Sequence, residues 1–295
     1  MNMAQSPAHK FGQIIGNCLE GSIEPLLREF SQKHGLYLDK TGYRPARRGK
    51  KVSWKDHFGN THDLDYVLER GGTADRFGVP TAFIETAWRR YTKHSRNKSQ
   101  EIQGAILPLA ETYQNAAPFR GVVLAGVYTN GALDQLRSLG FITLYLPYET
   151  IIKAFSYVGI DAEYDENTPE HEFEDKIKTW ENLSEDQRIL VSKKLIEINQ
   201  NEVKSFFRLL ERTVTRQIES VHVLPLHGTM FELTSVENAI DFIEKYDEDD
   251  GSKRIIKYDV YIYYSNGDQI KGSFSDKESA IEFLGKYLYP ELHPS

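Results

Sequence analysis

The sequence has few of the features that mark secreted, membrane-spanning or zinc-binding proteins. Its single cysteine, Cys18, cannot form a disulfide within the chain. No apolar run approaches the roughly 20 residues that a membrane-spanning helix needs. The first ten residues contain no apolar core of a signal peptide, and the nine histidines show no zinc-binding spacing with cysteine. We therefore expect a cytoplasmic protein with no membrane partner.

Motifs of two common enzyme classes are also missing. The sequence contains no Gly-x-x-x-x-Gly-Lys-Ser/Thr motif, which cradles nucleotide phosphates, so we expect no nucleotide cofactor. It also lacks the strand–turn serine motif of the serine hydrolases. The chemistry must therefore be sought in other residues.

Charge is distributed unevenly along the 295 residues, whose formal net charge is −7. Residues 1–125 carry 18 Lys and Arg against 12 Asp and Glu, whereas residues 126–295 carry 18 against 31. Two stretches of the first part are strongly basic, 40–58 with one acidic residue and 89–98 with none. Such clusters attract a polyanion such as nucleic acid; the alternative is a solvated charged surface without a partner.

The apolar patterns predict an α/β architecture, in which a mixed sheet is flanked by helices. In chain order we expect a helix over 9–30, strands over 51–54, 62–69 and 79–88, a helix over 97–114, a strand over 121–128, a helix over 131–139, a strand over 141–146 and a helix over 148–157. We assign this part, residues 1–160, to one domain.

Two further segments follow this first domain. Residues 161–220 predict a helical connector, in which Ser184 and Gln187 fit a capping box. Residues 221–295 predict a small α+β domain with a weak internal repeat, because 235–246 resemble 276–287 at a lag of 41 residues. Chance similarity of two amphipathic helices is the alternative explanation of the repeat.

Carboxylates on two predicted strands are the best candidates for chemistry. Alternation places Asp63 and Asp65 on one face of the 62–69 strand. Glu85 lies in an otherwise apolar strand, and a carboxylate in such a place is seldom buried unless it is paired or binds metal. If the strands pair, Asp65 and Glu85 converge on one cation, and the backbone carbonyl of Thr86 can add a ligand. We prefer Asp65 to Asp63, which is either a second ligand or an exposed hairpin residue.

The segments Asp65-Tyr-Val-Leu-Glu69 and Phe83-Ile84-Glu85-Thr86-Ala87 resemble the paired motif of the PD-(D/E)XK nuclease superfamily, which includes most type II restriction endonucleases. The resemblance covers about residues 6–157 and extends to the order of helices and strands. It implies a restriction-endonuclease-like fold and hydrolysis of DNA phosphodiester bonds. It also implies Mg²⁺ as cofactor, held by Asp65, Glu85 and, less directly, Asp63, with Mn²⁺ as a possible substitute.

The chain departs from that motif at one position, since Ala87 stands where the family has a lysine. In this superfamily the lysine sometimes comes from a neighbouring element. We expect Lys98, at the start of the next helix, to replace it, with Lys93 in the connecting loop as the second candidate. Glu101 can act as a helper ligand or an orienting partner.

The two basic clusters supply the expected DNA contacts, because cationic side chains bind phosphate oxygens. The candidates are Arg47, Arg48, Lys50, Lys51, Arg89, Arg90, His94 and Arg96.

The resemblance favours a sequence-specific type II restriction endonuclease that acts on double-stranded DNA as a homodimer. One alternative is a repair or other defence nuclease of the same fold. The other is a DNA-binding or scaffold protein that has lost its activity together with the lysine.

Overall fold

The computed structural model describes residues 6–47, 49–225, 228–248 and 257–288. Arg48, one of the expected DNA contacts, lies outside these ranges. The helices and strands, in chain order, are α1 (Pro7–Lys33), β1 (Leu36–Lys40), β2 (Val52–Lys55), β3 (Thr61–Leu64), β4 (Tyr66–Arg70), β5 (Val79–Arg89), α2 (Thr92–Thr112), β6 (Phe119–Gly126), α3 (Asn130–Ser138), β7 (Ile142–Pro147), α4 (Tyr148–Ser156), α5 (Glu170–Glu181), α6 (Glu185–Ile198), α7 (Gln200–Val214), β8 (Ile218–Pro225), β9 (Phe231–Leu233), α8 (Val236–Lys245), β10 (Tyr258–Tyr264), β11 (Gln269–Phe274) and α9 (Lys277–Gly285).

A five-stranded mixed sheet with the order β1-β4-β5-β6-β7 forms the centre of the fold. β1, β4 and β5 pair antiparallel, whereas β5, β6 and β7 pair parallel. One face packs against α1 and the helices α4 to α7, and the other packs against α2 and α3. Most residues of β5 and β6 are buried because both faces of these strands are covered. The predicted α/β class, with a mixed sheet flanked by helices, is confirmed.

The strand predicted over 62–69 is divided in two in the structure. The pattern predicted one strand over 62–69, but β3 ends at Leu64 and β4 begins at Tyr66. β3 pairs with β2 in a separate two-stranded sheet, whereas β4 joins the central sheet. Asp65 forms the bend between them, since its carboxylate accepts backbone and side-chain hydrogen bonds from β5. Aspartate favours such local breaks because its side chain competes with the strand ladder.

The helices of the predicted connector share the apolar core of the first domain. Phe173 of α5, Val191 of α6 and Phe206 of α7 lie in the same buried cluster as Phe11 of α1 and Ile84 of β5. The capping box at Ser184 and Gln187 is present. Residues between Phe11 and Val214 therefore contribute to one buried cluster on this face of the central sheet.

The C-terminal sheet has the order β11-β10-β8-β9 and contains two strand–strand–helix units. The central strands of the two units, β8 and β10, pair antiparallel. α8 and α9 begin at equivalent caps, with Ser235 accepting from the Asn238 amide and Asp276 from the Ser279 amide. A turn at Asn266-Gly267 joins β10 to β11, and Gly267 adopts a φ of 90° there. The repeat seen in the sequence thus corresponds to two similar structural units.

Four charged side chains form a buried network at one edge of the central sheet. Arg44 contacts Glu69 at 2.5 Å and Asp39 at 2.9 Å, and Arg47 contacts Asp39 at 3.0 Å. Each of the four side chains is at most 2% exposed. Glu69 also accepts a hydrogen bond from the Gly78 amide at 2.6 Å. Because both arginines are matched by a carboxylate, the network is formally neutral, and it fixes the loops on either side of β4.

Among the described helices, none combines the length and the apolar composition needed to cross a membrane.

Replacing Arg44 by alanine would leave Glu69 buried without its cation. We expect Arg44→Ala to lower the free energy of unfolding by about 3–5 kcal/mol, the usual cost of breaking a buried ion pair on one side. Urea denaturation measures this. Lys50→Ala, at an exposed position of the same loop, serves as the control and should stay within about 0.5 kcal/mol of the parent protein. Equal effects of the two substitutions would show that the network does not stabilise the fold.

Candidate active site

Asp65 and Glu85 are held side by side by an exchange of hydrogen bonds. The Asp65 amide donates to Glu85 Oε1 at 3.1 Å. In return, Asp65 Oδ2 accepts from the Thr86 amide at 2.7 Å and from the Thr86 hydroxyl at 2.8 Å. The bend after β3 is what allows Asp65 to reach β5 in this way. One oxygen of each carboxylate, Asp65 Oδ1 and Glu85 Oε2, is not used in the exchange.

Glu85 lies in an unfavourable electrostatic environment when it is ionised. It is 6% exposed, and it shares a face of β5 with Phe83 and Ala87, both of which belong to the apolar cluster under α2. Burial, followed by the negative charge of Asp65, raises the pKa of Glu85 to about 8, although Lys98 acts in the opposite direction. A nearby cation therefore stabilises the ionised pair of carboxylates.

Lys98 supplies positive charge at this position. α2 begins at Thr92, five residues earlier than expected, and crosses the face of β5 that carries Glu85. Lys98 Nζ lies 3.6 Å from Glu85 Oε2 and 3.6 Å from Glu101 Oε2. The structure thus brings together Asp65, Glu85, Lys98 and Glu101.

Ala87 stands where the motif that this segment resembles has a lysine. It is packed into the apolar cluster on the same face of β5 as Glu85. The lysine that contacts Glu85, Lys98, therefore lies on α2 and not on β5. Lys93 lies in the first turn of α2 and not in a connecting loop, which corrects the sequence expectation. Its side chain is exposed, and within the described ranges no ion pair joins it to Asp65 or Glu85.

The carboxylates of Asp65 and Glu85 fit a magnesium ion that keeps several water ligands. Within the part of the chain that the structure describes, no group of three His, Cys, Asp or Glu side chains lies close enough together to hold a metal ion. Mg²⁺ nevertheless binds through one or two carboxylates and keeps water or phosphate oxygens at its other positions. Asp65 and Glu85 match that requirement, because each has one oxygen outside their mutual exchange of hydrogen bonds and the two repel each other when ionised.

Glu20 of α1 lies close enough to Asp65 to interact with it electrostatically. Partial burial, followed by the charge of Asp65, raises the pKa of Glu20. Glu24, one turn later, instead forms ion pairs with Arg28 at 2.5 Å and Lys40 at 3.0 Å. The sequence shows both as acids on the same helix, and only the packing of α1 against the sheet distinguishes them.

Asp63 is separated from this cluster by the bend. It is exposed on β3, where Lys51 lies 2.6 Å away and the Ser53 hydroxyl donates to it at 2.6 Å. These contacts, led by the Lys51 hydrogen bond, lower the pKa of Asp63. The metal role expected for Asp63 is therefore not supported, because it stabilises the β2–β3 hairpin instead.

The cluster at 40–58 is less available to DNA than the sequence suggests. Arg47 donates to Asp39 and to the carbonyls of Lys40, Gly42 and Gly49. The guanidinium is buried and has its donors occupied, so it cannot bind a phosphate, which corrects the sequence expectation. Lys50 is exposed, and Lys51 is exposed but paired with Asp63.

The cluster at 89–98 divides in a similar way. Arg90 points inward, stacking over the Tyr148 ring at 4.2 Å and donating through Nε to the Tyr164 carbonyl at 2.8 Å. It fixes the segment after α4 and is unavailable to DNA, a second correction. Arg89 is half-buried, and its Nη1 donates to the Trp88 carbonyl. His94 and Arg96 are exposed on the first turns of α2, near Lys98.

Comparisons with protein-family models, with curated proteins and with solved structures gave no significant match to this chain. The assignment of a function therefore depends on the geometry of the site.

The pKa of Glu85 produces a testable dependence of stability on pH. The unfolded chain releases this proton near the ordinary value of 4.5, whereas the folded protein retains it until pH is about 8. The folded state therefore loses stability relative to the unfolded state as pH rises through this interval. We expect metal-free Glu85→Gln to match the parent protein near pH 4.5 and to be more stable at pH 9, by at most about 5 kcal/mol at about 1.4 kcal/mol per pKa unit.

Urea denaturation in the presence of a chelator, repeated across this pH range, measures the difference. Glu101→Gln is the matched control, because it removes the exposed carboxylate that contacts the same lysine. Its difference from the parent should not change with pH. Parallel stability curves for Glu85→Gln and the parent would exclude a raised pKa at Glu85.

Proposed function

We propose that this protein is a Mg²⁺-dependent endonuclease that hydrolyses DNA phosphodiester bonds. The observation that carries the proposal is the contact of Lys98 with the buried Asp65–Glu85 pair. Two carboxylates and a lysine beside them are the groups that metal-dependent phosphodiester hydrolysis requires. The resemblance of the two strand motifs to the PD-(D/E)XK nucleases supports the same function.

Each side chain has a role in this proposal. Asp65 and Glu85 hold the metal, and Thr86 fixes the Asp65 carboxylate through its amide and hydroxyl. The bound Mg²⁺ would promote ionisation of a water ligand and neutralise charge on the phosphate. Lys98 orients the attacking water and balances the charge that develops on the phosphate oxygens. Glu101, on the other side of the Lys98 ammonium, positions that lysine.

The start of α2 supports binding of a phosphate chain next to these groups. The first turn of α2 contains no acidic residue, and its cap, Tyr91, makes no side-chain hydrogen bond. Unpaired amides and the helix dipole make such an end attractive to anions. Lys93, His94 and Arg96 add exposed cationic or titratable side chains on the same turns. DNA lying across this end would reach Lys98 and the carboxylates.

Substitutions at the carboxylates and the lysine test the catalytic proposal. We expect Asp65→Asn and Glu85→Gln to lower Mg²⁺-dependent cleavage by roughly 10³-fold, because each removes a charged metal ligand worth several kcal/mol. Lys98→Ala should lower cleavage by about 10²-fold or more. Cleavage of supercoiled plasmid, followed over time with Mg²⁺ or Mn²⁺, measures all three.

Lys93→Ala is the matched control, since it removes a lysine from the same helix that does not contact Glu85. It should retain cleavage within a few-fold of the parent. If the parent protein binds DNA but shows no Mg²⁺-dependent cutting, the non-catalytic alternative replaces this proposal. If Lys93→Ala is as damaging as Lys98→Ala, the role assigned to Lys98 is wrong.

Arg96 provides a test of the DNA-binding surface. An exposed cation that contacts a phosphate releases about one counterion on binding, so Arg96→Ala should lower the slope of log affinity against log salt by about 1. Fluorescence anisotropy with a labelled duplex, measured in Ca²⁺ to prevent cleavage, gives this slope. Arg90→Lys is not informative here, because Arg90 faces the protein interior. An unchanged slope for Arg96→Ala would exclude a phosphate contact at this residue.

The biological setting remains part of the proposal. A sequence-specific type II restriction endonuclease would give discrete fragments from a large DNA and would act as a homodimer, whose two-fold symmetry matches a palindrome. A repair or other defence nuclease would give smears or structure-dependent cuts instead. A digest of phage DNA together with sedimentation of the protein distinguishes the two.

A further inference from the structure

A cleft of about 1470 Å³ lies between the first domain and the C-terminal unit, by which we mean β8 to β11 together with α8 and α9. One wall is formed by β2, by the beginning of β5 and by the end of α2. The other is formed by the chain around Val214–Ile218, by Tyr264 and by α9. Asp65, Glu85 and Lys98 are not among its lining residues. The cleft meets β5 at Val79–Thr81, at the beginning of the strand, whereas Glu85 lies near its middle, so the cleft is a separate feature of the molecule.

Aromatic side chains line both walls of the cleft. Trp54, Phe77 and Tyr113 form one group, in which the Trp54 ring meets Phe77 edge-to-face at 5.0 Å and Tyr113 at 5.5 Å. Tyr264 and Tyr287 lie on the opposite wall. Trp54 and Tyr264 are buried, and Arg216 already lies over the Tyr264 ring. Arg44 covers one face of Phe77. The half-buried rings of Phe77, Tyr113 and Tyr287 are therefore the ones with surface left for a planar ligand, and stacking on them does not depend on one particular base.

The lining also carries an excess of positive charge. It contains five basic side chains, Arg47, Lys55, Arg70, Arg216 and Lys286, against one carboxylate, Glu282. Arg47 and Arg216 are neutralised by Asp39 and Asp268, which lie outside the lining.

The other cations of the lining are less well neutralised. Arg70 donates to the Val214 carbonyl, and Lys286 lies 4.0 Å from the exposed Glu282. In the described parts of the chain no carboxylate forms an ion pair with Lys55 or Arg70. The cleft thus combines stacking surfaces with uncompensated positive charge.

We infer that this cleft binds a nucleotide, with the base against the aromatic walls and the phosphate at Lys55, Arg70 and Lys286. A purely apolar ligand would bring no anionic partner to Lys55 and Arg70, and inorganic phosphate would make no use of the aromatic rings. The volume exceeds the roughly 300–1000 Å³ typical of a site for one small ligand, so it accommodates a mononucleotide or a short oligonucleotide. Because both walls contribute, the bound ligand would connect the C-terminal unit to the first domain. This inference does not depend on the proposed nuclease activity.

Isothermal titration calorimetry on the full-length protein tests it, in the absence of divalent metal so that no cleavage occurs. The probes are the four ribonucleoside 5′-monophosphates and the dinucleotide pApA, together with adenosine and inorganic phosphate. We expect at least one nucleotide to bind, and to bind at least about tenfold more tightly than either adenosine or phosphate, because only the nucleotide uses both kinds of contact. A thermal shift with the same probes should show a rise in the melting temperature.

Two variants assign the binding to the cleft. The double substitution Lys55→Gln with Lys286→Gln should weaken nucleotide affinity by about tenfold or more, the effect of removing charged hydrogen-bonding groups. Phe77→Leu should weaken affinity by about fivefold or more through loss of stacking while preserving apolar volume. The double substitution Lys153→Gln with Lys193→Gln changes net charge by the same amount at exposed sites outside the cleft. It should bind within twofold of the parent.

Four results would overturn the inference. They are no binding of any nucleotide at millimolar concentration, phosphate binding as tight as nucleotide binding, equal effects of the cleft and control substitutions, and a DNA duplex as the sole ligand that depends on Lys55 and Lys286. Circular dichroism of each variant establishes that it is folded. If Phe77→Leu does not fold, the lysine pair alone decides the assignment.

Discussion

The position of the candidate active site depends on the hydrogen bonds that join Asp65 to β5. The Asp65 amide binds Glu85, and the Asp65 carboxylate binds the amide and hydroxyl of Thr86. These contacts place two acidic groups next to each other, although their charges repel. They also impose the bend that ends β3 and begins β4. The hairpin on one side of the bend and the central sheet on the other are therefore oriented by the same residue that we propose as a metal ligand.

The burial of Glu85 requires the surrounding structure to supply compensating charge. α2 provides it from the same face of β5, where Lys98 stands one turn before Ile102, a residue of the apolar cluster beneath the helix. A lysine on β5 itself would have to emerge at position 87, which is packed with apolar side chains. The helix can therefore replace the strand as the source of the cation without disturbing the core. Glu101 then holds the exposed side of the ammonium.

The sequence was most informative where pattern and burial agree. An acidic residue inside an apolar strand pointed to Glu85, and helical spacing pointed to Lys98. It favoured Asp65 over Asp63 but kept Asp63 as a second ligand, because alternation assigns both to one strand face and the bend depends on contacts with β5, 20 residues away. The sequence also predicted DNA contacts for Arg47 and Arg90, because clustered cationic side chains usually face solvent. Their carbonyl and carboxylate partners are supplied by tertiary packing, which local composition does not reveal. The β1 strand and the inclusion of α5 to α7 in the first core were also invisible to local patterns.

The core shared by residues 7–214 has a consequence for the order in which the chain folds during synthesis. Asp65, Glu85 and Lys98 are made early, but the sheet face opposite to them is covered by Val203, Phe206 and Leu210 of α7. Until those residues leave the ribosome, the part of this face of β5 and β6 that α1 and α4 do not cover stays open to water. Since domains fold as units, about two thirds of the chain must be translated before the strand that carries Glu85 is enclosed. The candidate active site is therefore enclosed late, although its residues lie in the first third of the chain.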